Sequence, residues 1–139
     1  PPPIIGDTKL AEPPKPPPPV IVRSAKLEIL KNDSSAVVGT FDLKAGRNIL
    51  GASDPATNNF PDIALNKWDD GPISYVSRKH AYLEFENGQV YLTDVGNEEK
   101  GSRNGTFVND VQLAPMVRTL INATSRLRFA QLYARIVLT

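Results

Sequence analysis

The feature that most limits what this chain can fold into is a period of two. Between Lys79 and Phe85, the apolar residues Ala81, Leu83 and Phe85 alternate with His80, Tyr82 and Glu84. Leu127 and Phe129 alternate with two arginines, and Leu132, Ala134, Ile136 and Leu138 occupy every second position near the end of the chain. Successive side chains of a strand point to opposite faces, so these segments read as half-buried strands. Spacings of three and four, which a helix would need, are almost absent. Turn formers interrupt the pattern at short intervals: KNDSS from Lys31, AGR from Ala45, ENG from Glu86, RNG from Arg103 and ND at Asn109. The reading places strands near 25–30, 36–43, 47–51, 62–65, 79–86, 89–94, 106–108, 111–113, 116–120, 125–129 and 132–138. Many short strands with such punctuation make an all-β sandwich or barrel. There is no internal repeat.

The first 24 residues differ in kind. They hold nine of the thirteen prolines and no hydrophobic periodicity, and each proline fixes φ and removes a backbone donor. Residues 1–24 are expected to be a polyproline II linker whose main property is reach, and residues 25–139 a single domain. The run PPKPPPP from Pro13 also has the form of a ligand for aromatic-lined grooves. From Ala25 onward thirteen Lys and Arg balance thirteen Asp and Glu, so the domain is a poor general binder of nucleic acid.

Composition excludes further classes. There is no cysteine and one histidine, so neither disulfides nor the usual thiolate or imidazole metal sites are expected, and no cofactor is implied. No apolar run approaches the roughly 20 residues of a membrane span, and no signal segment opens the chain. It reads as a piece of a longer protein, and a cysteine-free chain is compatible with the cytoplasm.

Three loops carry the chemistry: ASDPATNNFP (52–61), NKWDDGPISYV (66–76) and VGNEEKGSR (95–103). Loops held by a rigid sandwich are where binding groups usually sit. Ser77, Arg78 and Lys79 close the second; Lys100, Ser102, Arg103, Asn104 and Thr106 close the third. Brought to one end of the sandwich, these hydroxyls, cations and backbone amides suit a phosphate, with its negative charge and acceptor oxygens. Trp68, in the second loop, reads as a cover packed onto the sandwich.

The ordered series LGASD from Leu50, PDIAL from Pro61, VSRKHA from Val76, YLTDVG from Tyr91 and GSRNGTFVND from Gly101 resembles a forkhead-associated (FHA) domain over nearly all of residues 25–139. The resemblance implies an eleven-stranded β-sandwich of two sheets with recognition loops at one end, binding phosphothreonine peptides without catalysis. By position, Ser77 resembles the family's phosphate-contacting serine, and Arg103 stands where a side chain often reaches the phosphate. Asn104 matches the asparagine that bonds the peptide backbone. With Arg78 they form the expected phosphopeptide-binding set, while Gly51, His80, Gly105 and Thr106 are expected to shape the loops.

One departure weighs against these matches. Family members usually read IGR at the end of the third strand, and this chain has Leu50, Gly51 and Ala52. Arg47 lies five residues upstream, roughly 16 Å away and an odd number of steps, so it should face the other side of the sheet. A charge-assisted hydrogen bond contributes about 1.5 to 3 kcal/mol, so its loss weakens phosphate binding on the order of tenfold to a hundredfold. Arg103, aided by Arg78 or Lys100, is the expected replacement, against the local acidity of Glu98, Glu99, Asp69 and Asp70. The competing reading is a phospho-independent FHA scaffold or self-association module that binds an unmodified protein.

Each of these residues also has a plainer role: Ser77 as a turn hydroxyl, Asn104 before Gly105 as a hairpin turn, His80 as a brace on the polar side of its strand. A Ser77/His80 catalytic pair is disfavoured. Three residues apart in an extended chain they point to opposite faces, and no third catalytic group accompanies them.

Overall fold

The computed structural model describes residues 22–32, 34–68 and 75–139. Within them the alternating segments form eleven strands in two sheets, as the pattern predicts: β1 (Ala25–Leu30), β2 (Val37–Asp42), β3 (Gly46–Gly51), β4 (Ile63–Ala64), β5 (Ala81–Glu86), β6 (Gln89–Asp94), β7 (Thr106–Val108), β8 (Val111–Gln112), β9 (Thr119–Ile121), β10 (Leu127–Phe129) and β11 (Leu132–Leu138). One sheet runs β2-β1-β11-β10-β7-β8 and the other β4-β3-β5-β6-β9. Neighbours are antiparallel except β3 and β4, which are parallel. Residues 1–21 of the linker read over 1–24 lie outside the described residues, and the amides of Arg23 and Ser24, at its end, both donate to the Thr139 carbonyl. Among the described residues no helix is long and apolar enough to cross a membrane.

The core lies between the sheets and follows from the alternation. Ala25, Leu27 and Ile29 of β1 and Leu132, Ala134 and Ile136 of β11 turn inward, against Leu50, Leu83, Val90 and Leu92 of the other sheet. Burying a leucine or isoleucine contributes about 1.5 to 3 kcal/mol, so the inward rows dominate stability. Asn48 is buried among them at no penalty, because its amide donates to the carbonyl oxygens of Lys44 and Leu83 and accepts from the Lys44 amide. The two-residue hairpins Asn87-Gly88 and Asn109-Asp110 have positive φ at both positions, the conformation that suits the strand twist and that Asn, Asp and Gly tolerate best.

Several strand boundaries depart from the sequence reading, two of them for a clear reason. The strand expected from 79 begins at Ala81, since Lys79 lies in a turn and His80 in the connection after it. The strand expected at 116–120 is Thr119–Ile121, because Met116 takes a φ of 63° and its amide donates to the Asp94 carbonyl. Single 3-10 turns also form at Pro55–Thr57 and Asn66–Trp68. The first is capped by the Asp54 side chain, which accepts from the Ala56 amide.

Register sets the two poles of the sandwich. Leu50 pairs with Ala81, and Ala81 with Asp94, so the end of β3, the start of β5 and the end of β6 lie side by side. The loops 52–62 and 95–105 leave from that pole, and residues 75–80 lead into β5 there. At the other, the Ser24 amide donates to the Thr139 carbonyl, beside the start of β1.

The loop 52–62 returns to β3 through Asp62, whose carboxylate accepts from Lys44 Nζ and from the Ile49 amide, both at 2.8 Å. The Lys44 hydrogen bond is the main force holding the Asp62 pKa below its ordinary value, against some desolvation. Both side chains are partly exposed, so Asp62→Asn is expected to lose only on the order of 0.5 kcal/mol at neutral pH. A depressed folded-state pKa stabilises above the unfolded value of 3.8 and is lost as pH falls through the folded one. Chemical denaturation of both proteins should therefore show the difference shrinking as pH drops below about 3.8.

Candidate functional site

Gly51 ends β3 where the loop before β5 folds back across it. A Cβ on Gly51 would lie 1.9 Å from the Arg78 carbonyl oxygen and 2.6 Å from its carbon, so the missing side chain is what lets the two backbones meet. The Ala52 amide then donates to the Ser77 carbonyl at 3.1 Å, and the His80 amide to the Leu50 carbonyl at 2.9 Å. Ser77, Arg78 and Lys79 are thereby fixed as a tight turn at the rim of the sheet.

His80 joins this turn to the loop after β6. Its ring is fully buried, with its centroid 6.1 Å from that of Phe129 in a T-shaped arrangement. Nε2–H donates to the Gly105 carbonyl at 2.9 Å, and Nδ1 accepts from the Ser77 amide at 3.0 Å. The expectation that His80 lies on a polar strand face is corrected: the chain is turning there, and pleat parity does not apply. The group of Ser77 that meets the imidazole at Nδ1 is its backbone amide.

The loop 95–105 is held from below by Asp94, which is 1% exposed. Its carboxylate accepts from Thr106 Oγ1 at 2.7 Å and from the Ser102 amide at 3.2 Å. Gly105, with φ of 88°, turns its carbonyl towards both His80 and the Ala130 amide. Arg103 and Asn104 are presented outward between these anchors. The Arg103 amide donates to Ser77 Oγ at 3.2 Å, and Asn104 Nδ2 to the Tyr75 carbonyl at 2.9 Å. Ser77, Arg103 and Asn104 therefore share one rim although 26 positions separate Ser77 from Arg103.

Charge is distributed unevenly around this rim. Lys79 Nζ bonds Glu99 at 3.2 Å, which chiefly holds its pKa above the usual lysine value, and its amide donates to Asn97 Oδ1. Arg78 lies 3.9 Å from Asp54. Arg78 and Lys79 border a depression of about 220 Å³ with Thr57, Asn59 and Asn97. Asn59 braces it by donating to the carbonyl oxygens of Ala52 and Arg78. Arg103 is exposed, and among the described residues no carboxylate pairs with it. Glu99 is engaged by Lys79 instead, while Asp69 and Asp70 lie outside the described residues.

Ala52 is 7% exposed and packs with the core, so position 52 brings no cation to the rim. Arg47 does not replace it: its guanidinium sits 4.1 Å over the Tyr82 ring and 3.5 Å from Glu84, along the strands rather than at the loops. Lys100 is exposed in the third loop. Trp68 packs edge-on to Phe41, at 5.5 Å between centroids. No group of His, Asp or Glu able to hold a metal ion occurs among the described residues. Asp94, Asn59 and Asn97 were not singled out by sequence; each acts on a loop distant in the chain, and no local pattern marks them.

The FHA domain family matches residues 44–130. Solved structures show the same fold. An FHA domain from a structural and functional analysis of phosphothreonine-dependent FHA domain interactions is 21% identical, with a TM-score of 0.59 over 84% of this chain and 98% of that one. The FhaA FHA domain complexed with the intracellular domain of Rv3910 is 23% identical, with a TM-score of 0.57 over 82% of this chain and 100% of the other. The FHA domain of the CT664 protein from Chlamydia trachomatis is 22% identical, with a TM-score of 0.61 over 83% and 97%. Comparison with curated protein sequences gives no match.

Proposed function

From the premise that this chain belongs to the FHA domain family, we propose that it is a protein-protein interaction module that takes a phosphothreonine peptide on its three loops, with phosphate affinity reduced by Ala52. The observation that carries this reading is the Arg103 amide on Ser77 Oγ, beside the Asn104 amide on Tyr75. It supports a rim on which a hydroxyl, a guanidinium and a carboxamide face one ligand. Ser77 and Arg103 contact the phosphate, Asn104 the peptide backbone, and Arg78 adds charge from the neighbouring depression. The work is binding and not catalysis. The FhaA domain, complexed with an intracellular domain of another protein, and the domain studied for phosphothreonine dependence lend weight to such a partner.

Arg103 is assigned the charge that position 52 lacks, because no described carboxylate competes for it. A bidentate guanidinium–phosphate contact is among the stronger hydrogen-bonded pairs, so Arg103→Ala is expected to weaken phosphopeptide binding about tenfold. Ala52→Arg is expected to strengthen it by a similar factor. Isothermal titration with one phosphothreonine peptide checks both. Ala52 also favours the second reading, a phospho-independent scaffold. If the parent domain ignores the phosphopeptide and Ala52→Arg alone creates binding, that second reading is the correct one.

A further inference from the structure

A second recess, away from Ser77, Arg103 and Asn104, has its own chemistry. It encloses about 400 Å³, with Trp68, Leu30, Leu132 and Val38 along its apolar wall and Lys31 and Lys67 among its lining residues. Its aromatic wall is built in place. Gly39 of β2 lacks the side chain that would meet Trp68 Cζ2 at 2.3 Å, so the indole lies on the strand backbone, and Phe41 meets its edge. Val38 is 41% exposed, on a strand that forms the outer edge of its sheet. An edge strand offers unpaired backbone groups to an extended chain.

Among the described lining residues the charge of the recess is positive. Lys31 and Lys67 are both exposed. Among the described residues neither has a carboxylate within ion-pair distance, whereas Lys26, Lys44 and Lys79 all do. Lys67 Nζ stands 5.5 Å from the indole centroid. An apolar wall beside two cations that no described carboxylate pairs with is complementary to an apolar side chain flanked by carboxylates.

We propose that this recess docks an unphosphorylated acidic peptide segment of a partner protein, seating one aliphatic side chain on Trp68 between Lys31 and Lys67. The inference goes beyond phosphothreonine recognition and does not depend on it. Trp68 is the only tryptophan in the chain, so its emission reports the recess directly. The probe is a short peptide of aspartate and glutamate around one leucine, containing no threonine. A saturable change in Trp68 emission is expected, weakened about tenfold by the double variant Lys31→Glu/Lys67→Glu and equally by replacing the peptide's leucine with serine. Circular dichroism checks that the double variant is folded, which the exposure of both lysines favours. Absence of a saturable change overturns the proposal, as does an undiminished response in the double variant. A response to oligothymidylate stronger than to the peptide would assign the recess to nucleic acid and overturn it too.

Discussion

Gly51→Ala is expected to destabilise the domain by about 3 kcal/mol or more, enough to unfold a marginally stable protein. The added methyl meets the Arg78 carbonyl at 1.9 Å and its carbon at 2.6 Å, both backbone atoms that no rotamer change can move aside. Relief requires prising the Ser77–Lys79 turn off β3, which breaks the Ala52 to Ser77 and His80 to Leu50 backbone hydrogen bonds. Guanidinium denaturation measures the loss. Should the variant remain folded at low temperature, the same displacement moves Ser77 away from Arg103, and phosphopeptide binding is expected to disappear with it. A shift in midpoint near zero would mean that the close approach at Gly51 is not what fixes the loop.

His80→Ala is expected to be nearly as costly, at about 3 kcal/mol. It empties a fully buried site beside Phe129 and removes the acceptor of the Ser77 amide. The Gly105 carbonyl keeps the Ala130 amide as a donor, whereas the Ser77 amide loses the imidazole. The loss of order should therefore be asymmetric. Hydrogen exchange in the variant should accelerate at Ser77 far more than at Ala130, and phosphopeptide affinity should fall although His80 has no place on the exposed rim. Equal protection of Ser77 in both proteins would show that the imidazole does not hold the loop.

These two residues also mark how far the sequence could be read. Strands such as Gln89–Asp94 and Leu132–Leu138 were legible to the residue, because alternation and flanking turn residues are local signals. Where long-range contact decides conformation, local reading stopped. His80 continues the alternation of the strand after it, yet the chain turns at Lys79 and the imidazole is buried between two loops. Met116 sits in an apolar run that reads as strand, but its amide is drawn to Asp94, 22 positions earlier in the numbering, and pairing begins only at Thr119.

Spacing and resemblance singled out Ser77, Arg103 and Asn104 as candidates, and the fold brings them to one rim. Their supports were not visible. Asp94 looks like any polar residue at the end of a strand, and its carboxylate matters only because the chain returns to place Ser102 and Thr106 above it. Glu99 looked like a competitor for Arg103. It is Lys79, 20 positions away, that engages it and leaves Arg103 available to a ligand.

In the proposed function, Ser77, Arg103 and Asn104 answer to a phosphate in spite of Ala52. Their backbone amide resonances can be followed by NMR while the domain is titrated with a phosphothreonine peptide and with its unphosphorylated twin. The three amides are expected to shift together and to saturate with the phosphorylated peptide, while remaining nearly still with the other. Identical responses to the two peptides would contradict phosphate recognition and leave the domain a phospho-independent module.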